Sequence, residues 1–119
     1  MKVSDYMPRV SDNLLSKLLE SSGAVLVEGA KWCGKTQSSL QFAKSAIYMQ
    51  DPDEGPAFML LADSKPSLLL EGNTPRLIDE WQMAPVLWDA VRYAVDKRGS
   101  VGQFILTGSV TPETKTMHT

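Results

Sequence analysis

Three groups of residues in this chain could do chemistry. The first is Gly29-Ala30-Lys31-Trp32-Cys33-Gly34-Lys35-Thr36: a glycine, four residues, then Gly-Lys-Thr. That spacing suits a phosphate-binding loop. Gly29 and Gly34 permit backbone angles that other residues resist. Successive N–H groups then turn inward and form an anion nest. A helix starting after the loop aims its positive end at the same point. Lys35 adds a full charge near the β and γ phosphates of a nucleotide, and Thr36 offers a hydroxyl to Mg²⁺. Gly29, Ala30, Lys31, Trp32, Cys33, Gly34, Lys35, Thr36 and Gln37 are the expected nucleotide contacts.

The second group is Asp79-Glu80, which follows the apolar pair Leu77-Ile78. A phosphate–Mg²⁺ site needs a carboxylate to hold the metal, and Asp79 is expected to join Thr36 in that role. An adjacent carboxylate can orient or deprotonate the attacking water, which makes Glu80 the candidate base. A charged turn at a strand end is common on any surface, but its place after a phosphate loop favours function. The third group is Thr107 and Ser109, two hydroxyls in Phe104-Ile105-Leu106-Thr107-Gly108-Ser109. A polar residue at that strand end can touch the γ-phosphate or the water. Sequence does not choose between the two, so the expected catalytic set is Glu80, Lys35, Thr107 and Ser109.

Other reactive residues carry less. Cys33 is the one cysteine and His118 the one histidine, next to the last residue. A Cys–His nucleophile and a histidine or cysteine metal site are therefore not expected. Trp32, Trp81 and Trp88 read as packing or interface residues rather than nucleotide stackers. Arg92, Lys97 and Arg98 read as a solvated helix end, with contact to a neighbouring subunit's nucleotide as the sharper alternative. Tyr6 to Arg9 are candidates for contact with a base.

The elements that must position these groups alternate along the chain. Ser11 to Gly23 predicts a helix, with Leu14, Leu15, Leu18 and Leu19 on one face. Ala24 to Gly29 predicts a buried strand. Lys35 to Lys44 predicts a helix with Leu40 and Ala43 facing inward. Ala46 to Met49 predicts a second strand. Glu54 to Leu70 predicts one or two short helices broken near Pro66, and Glu71 to Pro75 a turn. Arg76 to Asp79 predicts a third strand. Pro85 suits the first turn of a helix, whose apolar face is Leu87, Ala90, Val91, Ala94 and Val95 and whose stop is Gly99. Gln103 to Leu106 predicts a fourth strand. This rhythm predicts an α/β fold with a mainly parallel sheet covered on both faces.

The chain has 119 residues, room for one domain. Its 43% hydrophobic and 22% charged residues place it among ordinary globular chains. A net charge of -2 gives no overall pull toward nucleic acid or anionic membrane. No apolar run approaches a membrane span, and the N-terminus does not read as a secretory signal. A cytoplasmic location is expected.

The stretches KWCGKT, PRLIDEWQMAPVLWDAVR and GQFILTGS together resemble a family of prokaryotic AAA-type ATP-binding proteins. Its members join an N-terminal ATPase domain to a C-terminal domain of unknown function. The resemblance runs from about Tyr6 to Ser109. It implies ATP with Mg²⁺, Lys35 and Thr36 in the Walker A role, and Asp79 and Glu80 in the Walker B role. It places the first sensor at the FILTGS strand end and implies strand order 5-1-4-3-2. The family pattern continues past His118 into a fifth strand and a further domain. Residues 1–119 are therefore expected to form a partial P-loop NTPase-type domain, three-layer α/β/α, C-terminally truncated with the fifth strand absent. Any trans-acting arginine and second sensor would then be missing. The strand Ala24 to Glu28 would be an uncovered edge, open to self-association or to the missing C-terminal segment.

The expected function is Mg-ATP binding, with hydrolysis in the full-length parent and weak or no hydrolysis in this chain. Two rivals remain. One is a non-catalytic interaction module folded through a partner. The other is a small-molecule phosphotransferase, disfavoured because Arg9, Arg76, Arg92 and Arg98 form no lid-like cluster. GTP is disfavoured because no Asn-Lys-x-Asp motif is present.

Overall fold

The computed structural model describes residues 12–29 and 39–109. Four short strands form the frame: β1 (Ala24–Gly29), β2 (Ser45–Tyr48), β3 (Arg76–Asp79) and β4 (Phe104–Ser109). All pair in parallel, in the order β1-β4-β3-β2. This matches the first four strands of the order implied by the resemblance. Parallel strands buried on both faces read as continuous apolar runs, which is why VLV, LI and FIL mark three of them.

Adjacent side chains on a strand point to opposite faces. Leu77 and Ile105 therefore join Val25 and Val27 on one face, covered by Leu15 and Leu19 of α1 (Asp12–Ser21). Ile78, Phe104, Leu106 and Ile47 lie on the other face. There they meet Ala62 of α2 (Gly55–Ser64), Leu69 and Leu70 of a 3-10 helix (Pro66–Leu70), and Leu87 and Val91 of α3 (Val86–Arg98). Helices on both faces make three layers, as the alternation of elements predicts. Pro85 caps the start of α3, and Gly99 ends it at φ 66°, with its N–H donating to Val95 O at 2.9 Å.

Two expectations need correction. Leu40 does not face inward: it is 42% exposed. The helix ends at Leu40, and the N–H groups of Phe42 and Ala43 both donate to Ser39 O. The turn shifts the phase, so Ser39 is buried and Phe42 and Ala43 pack on the α1 side of the sheet. The start of that predicted helix lies outside the described residues. The fourth strand is also longer than predicted. It continues through Thr107, Gly108 and Ser109 because β1 pairs with it as far as Gly29–Ser109.

Arg76, weighed above only as a lid arginine, is a structural residue at the opposite end of β3 from Asp79. It is buried, its Nε donates to Leu69 O at 2.7 Å, and its Nη1 donates to Ser45 Oγ at 3.0 Å. Arg98 is not merely a solvated helix end. Its guanidinium sits 5.1 Å from the Phe104 ring centroid and donates to Gln103 Oε1.

Candidate functional site

Open parallel sheets bind ligands at the carboxyl ends of their strands. Here those ends gather Gly29, Asp79, Glu80, Thr107 and Ser109. The register sets Asp79 opposite Thr107 and Gly29 opposite Ser109. Gly29 is where β1 hands the chain to the phosphate-loop sequence. The rest of that sequence (Ala30, Lys31, Trp32, Cys33, Gly34, Lys35, Thr36 and Gln37) lies outside the described residues, as do Tyr6 to Arg9 and His118.

Each carboxylate of the acidic pair is held by a hydroxyl of β4. Thr107 Oγ1 donates to Asp79 Oδ1 at 2.6 Å, and Ser109 Oγ donates to Glu80 Oε2 at 2.9 Å. Both strand-end hydroxyls that the sequence offered thus bond to the acidic pair, one to each acid. Thr107 is fully buried and Glu80 is 5% exposed, while Asp79 is half-buried.

Glu80 has an unusual backbone. Its φ of 58° and ψ of 52° are left-handed, and no other described non-glycine residue has positive φ. Such a conformation costs a residue with a side chain about 1–3 kcal/mol and persists where the surroundings enforce it. The enforcing element is the 3-10 turn Trp81–Met83, in which Met83 N donates to Glu80 O and Ala84 N to Trp81 O.

That turn also brings in a residue that sequence reading missed. Gln82 Nε2 donates to Glu80 Oε1 at 2.5 Å. Helical and strand periodicities give no reason for side chains two positions apart to meet this closely, so only the left-handed corner reveals it. Trp81 packs 5.1 Å from Trp88, centroid to centroid, at 38° between ring planes, and both behave as packing residues.

The donor set fits a phosphate–Mg²⁺ group. A half-buried carboxylate oriented by a hydroxyl suits a hydrated hard cation, and a second carboxylate lies one residue on. Among the described residues no cluster of three or more His, Cys, Asp or Glu forms a self-contained metal cage.

No helix among the described residues is long and apolar enough to cross a membrane. Neither the curated proteins nor the solved structures contain a match to this chain. A family model described as an AAA domain matches residues 21–119. With that match, the parallel sheet and the acidic pair at its carboxyl end, the chain belongs to the AAA domain family of nucleotide-binding P-loop proteins.

Proposed function

We propose that this chain binds ATP with Mg²⁺ and carries the residues for its hydrolysis. The observation that supports this best is the hydroxyl-held pair Asp79–Glu80 at the end of β3, with β4 between it and Gly29 of β1. In this reading the loop from Gly29 to Gln37 wraps the phosphates, with Lys35 neutralising them and Thr36 and Asp79 as metal ligands. Bound Mg²⁺ would supply charge neutralisation on the phosphate oxygens. Thr107 holds Asp79 in one orientation. Glu80 takes a proton from the attacking water as the water oxygen bonds to the γ-phosphorus. The bond from that phosphorus to the bridging oxygen breaks in line, and ADP departs with the electron pair. Positioning and electrostatics do most of this work.

The experiment is calorimetry of Mg-ATP with the 119-residue chain, its Lys35→Ala variant and its Glu80→Gln variant. Binding that is lost in Lys35→Ala and kept in Glu80→Gln supports the reading. No binding by folded wild type overturns it.

A second reading, an interaction module, is favoured by one feature. A mainly apolar groove of about 290 Å³ lies between β1 and α3, lined by Ala24, Val25, Leu26, Trp88, Val91, Leu106 and the charged Arg92. In the sheet of described residues β1 is a terminal strand, and a strand added there would cover the groove. Sedimentation distinguishes this reading, which requires association regardless of nucleotide.

A further inference from the structure

Both oxygens of the Glu80 carboxylate accept hydrogen bonds from neutral side chains on two different elements. Ser109 Oγ donates from β4 to Oε2, and Gln82 Nε2 donates from the 3-10 turn to Oε1. A carboxylate oxygen has more than one acceptor direction. Such a grip fixes the orientation of the group.

The direction of the Gln82 amide follows from its neighbours. Reversed, its carbonyl oxygen would face the carboxylate, acceptor against acceptor. With Nε2 on Glu80, the amide oxygen points away. That oxygen, Gln82 Oε1, and Trp81 Nε1 are buried side-chain atoms with no hydrogen-bond partner among the described residues. A buried acceptor left unpaired destabilises a fold, and an apolar side chain of the same shape would remove the loss. Stability alone therefore argues against glutamine at this position, and its bond to Glu80 argues for it.

Gly108 completes the arrangement. A Cβ there would stand 2.8 Å from Gln82 Oε1 and 3.2 Å from Trp81 Nε1. The missing side chain on β4 is the space into which the amide and the indole fit.

We propose that Gln82 is a positioning residue that holds Glu80 for proton abstraction, and that Gly108 is glycine so that Gln82 can do so. This rests on the ATP-hydrolysis reading above. It assigns a task to a residue outside the phosphate loop, the acidic pair and the two strand-end hydroxyls.

The test uses the full 119-residue chain and three readouts. The first needs no nucleotide: the Gln82 side-chain amide resonances by ¹⁵N NMR. A carboxylate-bound amide should be downfield and slow to exchange, and should move to ordinary values in Glu80→Ala. The second is single-turnover ATP hydrolysis by wild type, Gln82→Met and Gly108→Ala. The third is Mg-ATP affinity of the same proteins. We expect both variants to hydrolyse about 10- to 100-fold more slowly, the scale of one lost hydrogen bond to a charged group. Nucleotide affinity should stay within about twofold, since Gln82 is placed on the base and not on the phosphates. The double variant should be no slower than Gln82→Met, because both changes remove the same contact.

Ordinary amide resonances in wild type, or unchanged turnover in folded Gln82→Met, overturn the proposal while leaving ATP hydrolysis standing. A slower variant whose ATP affinity falls in step also overturns it, since that pattern marks a structural role. Wild type that binds no ATP defeats the ATP reading and this proposal with it. Wild type that binds ATP without turnover keeps the binding expected of this chain but defeats the hydrolytic role of Glu80, and this proposal with that role.

Discussion

Thr107 Oγ1 donates a 2.6 Å hydrogen bond to Asp79 Oδ1 between residues in register on adjacent parallel strands. The bond is short because the acceptor is a carboxylate. It ties the candidate metal ligand to the fully buried floor of the sheet. Thr107→Val keeps the shape and removes the donor. The expected cost is about 1–2 kcal/mol of stability, read from urea denaturation. The variant should also need more Mg²⁺ to bind ATP, because Asp79 loses its orientation. Thr107→Ser should restore both. An unchanged Mg²⁺ requirement would separate Thr107 from metal binding.

Arg76 lies at the other end of the same strand. Its guanidinium donates to Leu69 O and to Ser45 Oγ, and Ser45 Oγ in turn donates to Asn73 O at 2.6 Å. Burial holds the guanidinium pKa below its ordinary value, since a charged group out of water is disfavoured. Arg76→Ala leaves the Leu69 carbonyl without this donor, at an expected cost of about 1–3 kcal/mol. The affinity of the remaining folded protein for ATP should not change. A variant that folds as stably as wild type would contradict this account.

Gly23 and Val95 form a close contact between the turn before β1 and the end of α3. A Cβ on Gly23 would stand 2.2 Å from Val95 Cγ1. The turn cannot easily retreat, because Gly23 O accepts from Gln103 N and Phe104 N. Gly23→Ala should therefore cost about 1–3 kcal/mol by overpacking. Val95→Ala should make room, so the double variant should lose less than the sum of the two. Additive losses in urea midpoints would show that the contact is not the cause.

Asp51 sets the approach to α2. Its Oδ1 accepts from Asp53 N at 2.8 Å and from Glu54 N at 3.0 Å. These backbone donors, Glu54 first, hold its carboxyl below the ordinary 3.8. The native fold thus favours the charged form. Its contribution is full above about 3.8, the unfolded value, and fades as pH falls through the lower native value. Asp51→Asn should lower the urea midpoint at neutral pH, and the gap to wild type should close in acid. A gap that is constant with pH would exclude this charge as its origin.

Local pattern carried much of this protein into view. AVLVEG and RLID are strands with the ends expected, Gly99 stops α3, and the four-strand parallel order agrees with the one implied by the resemblance. Continuous apolar runs and helix-stop glycines are short-range signals, so a sequence displays them directly. The positions of the candidate site residues Asp79, Glu80, Thr107 and Ser109 at strand ends were also legible, because the strands that carry them are marked by local apolar runs. Their pairing was not. Thr107 finds Asp79, and Ser109 finds Glu80, only because β4 lies beside β3 in one register. Leu40 misled because a helical stripe was extended past the point where the chain turns at Ser39. Gln82 was invisible for a stronger reason. Its contact depends on a left-handed backbone at Glu80 and on space above Gly108, 26 residues further along the chain. A sequence by itself determines which groups are available and the local shapes they prefer. Which of them touch is decided by the tertiary fold, because distant segments must close on one another before a hydrogen bond between them can form.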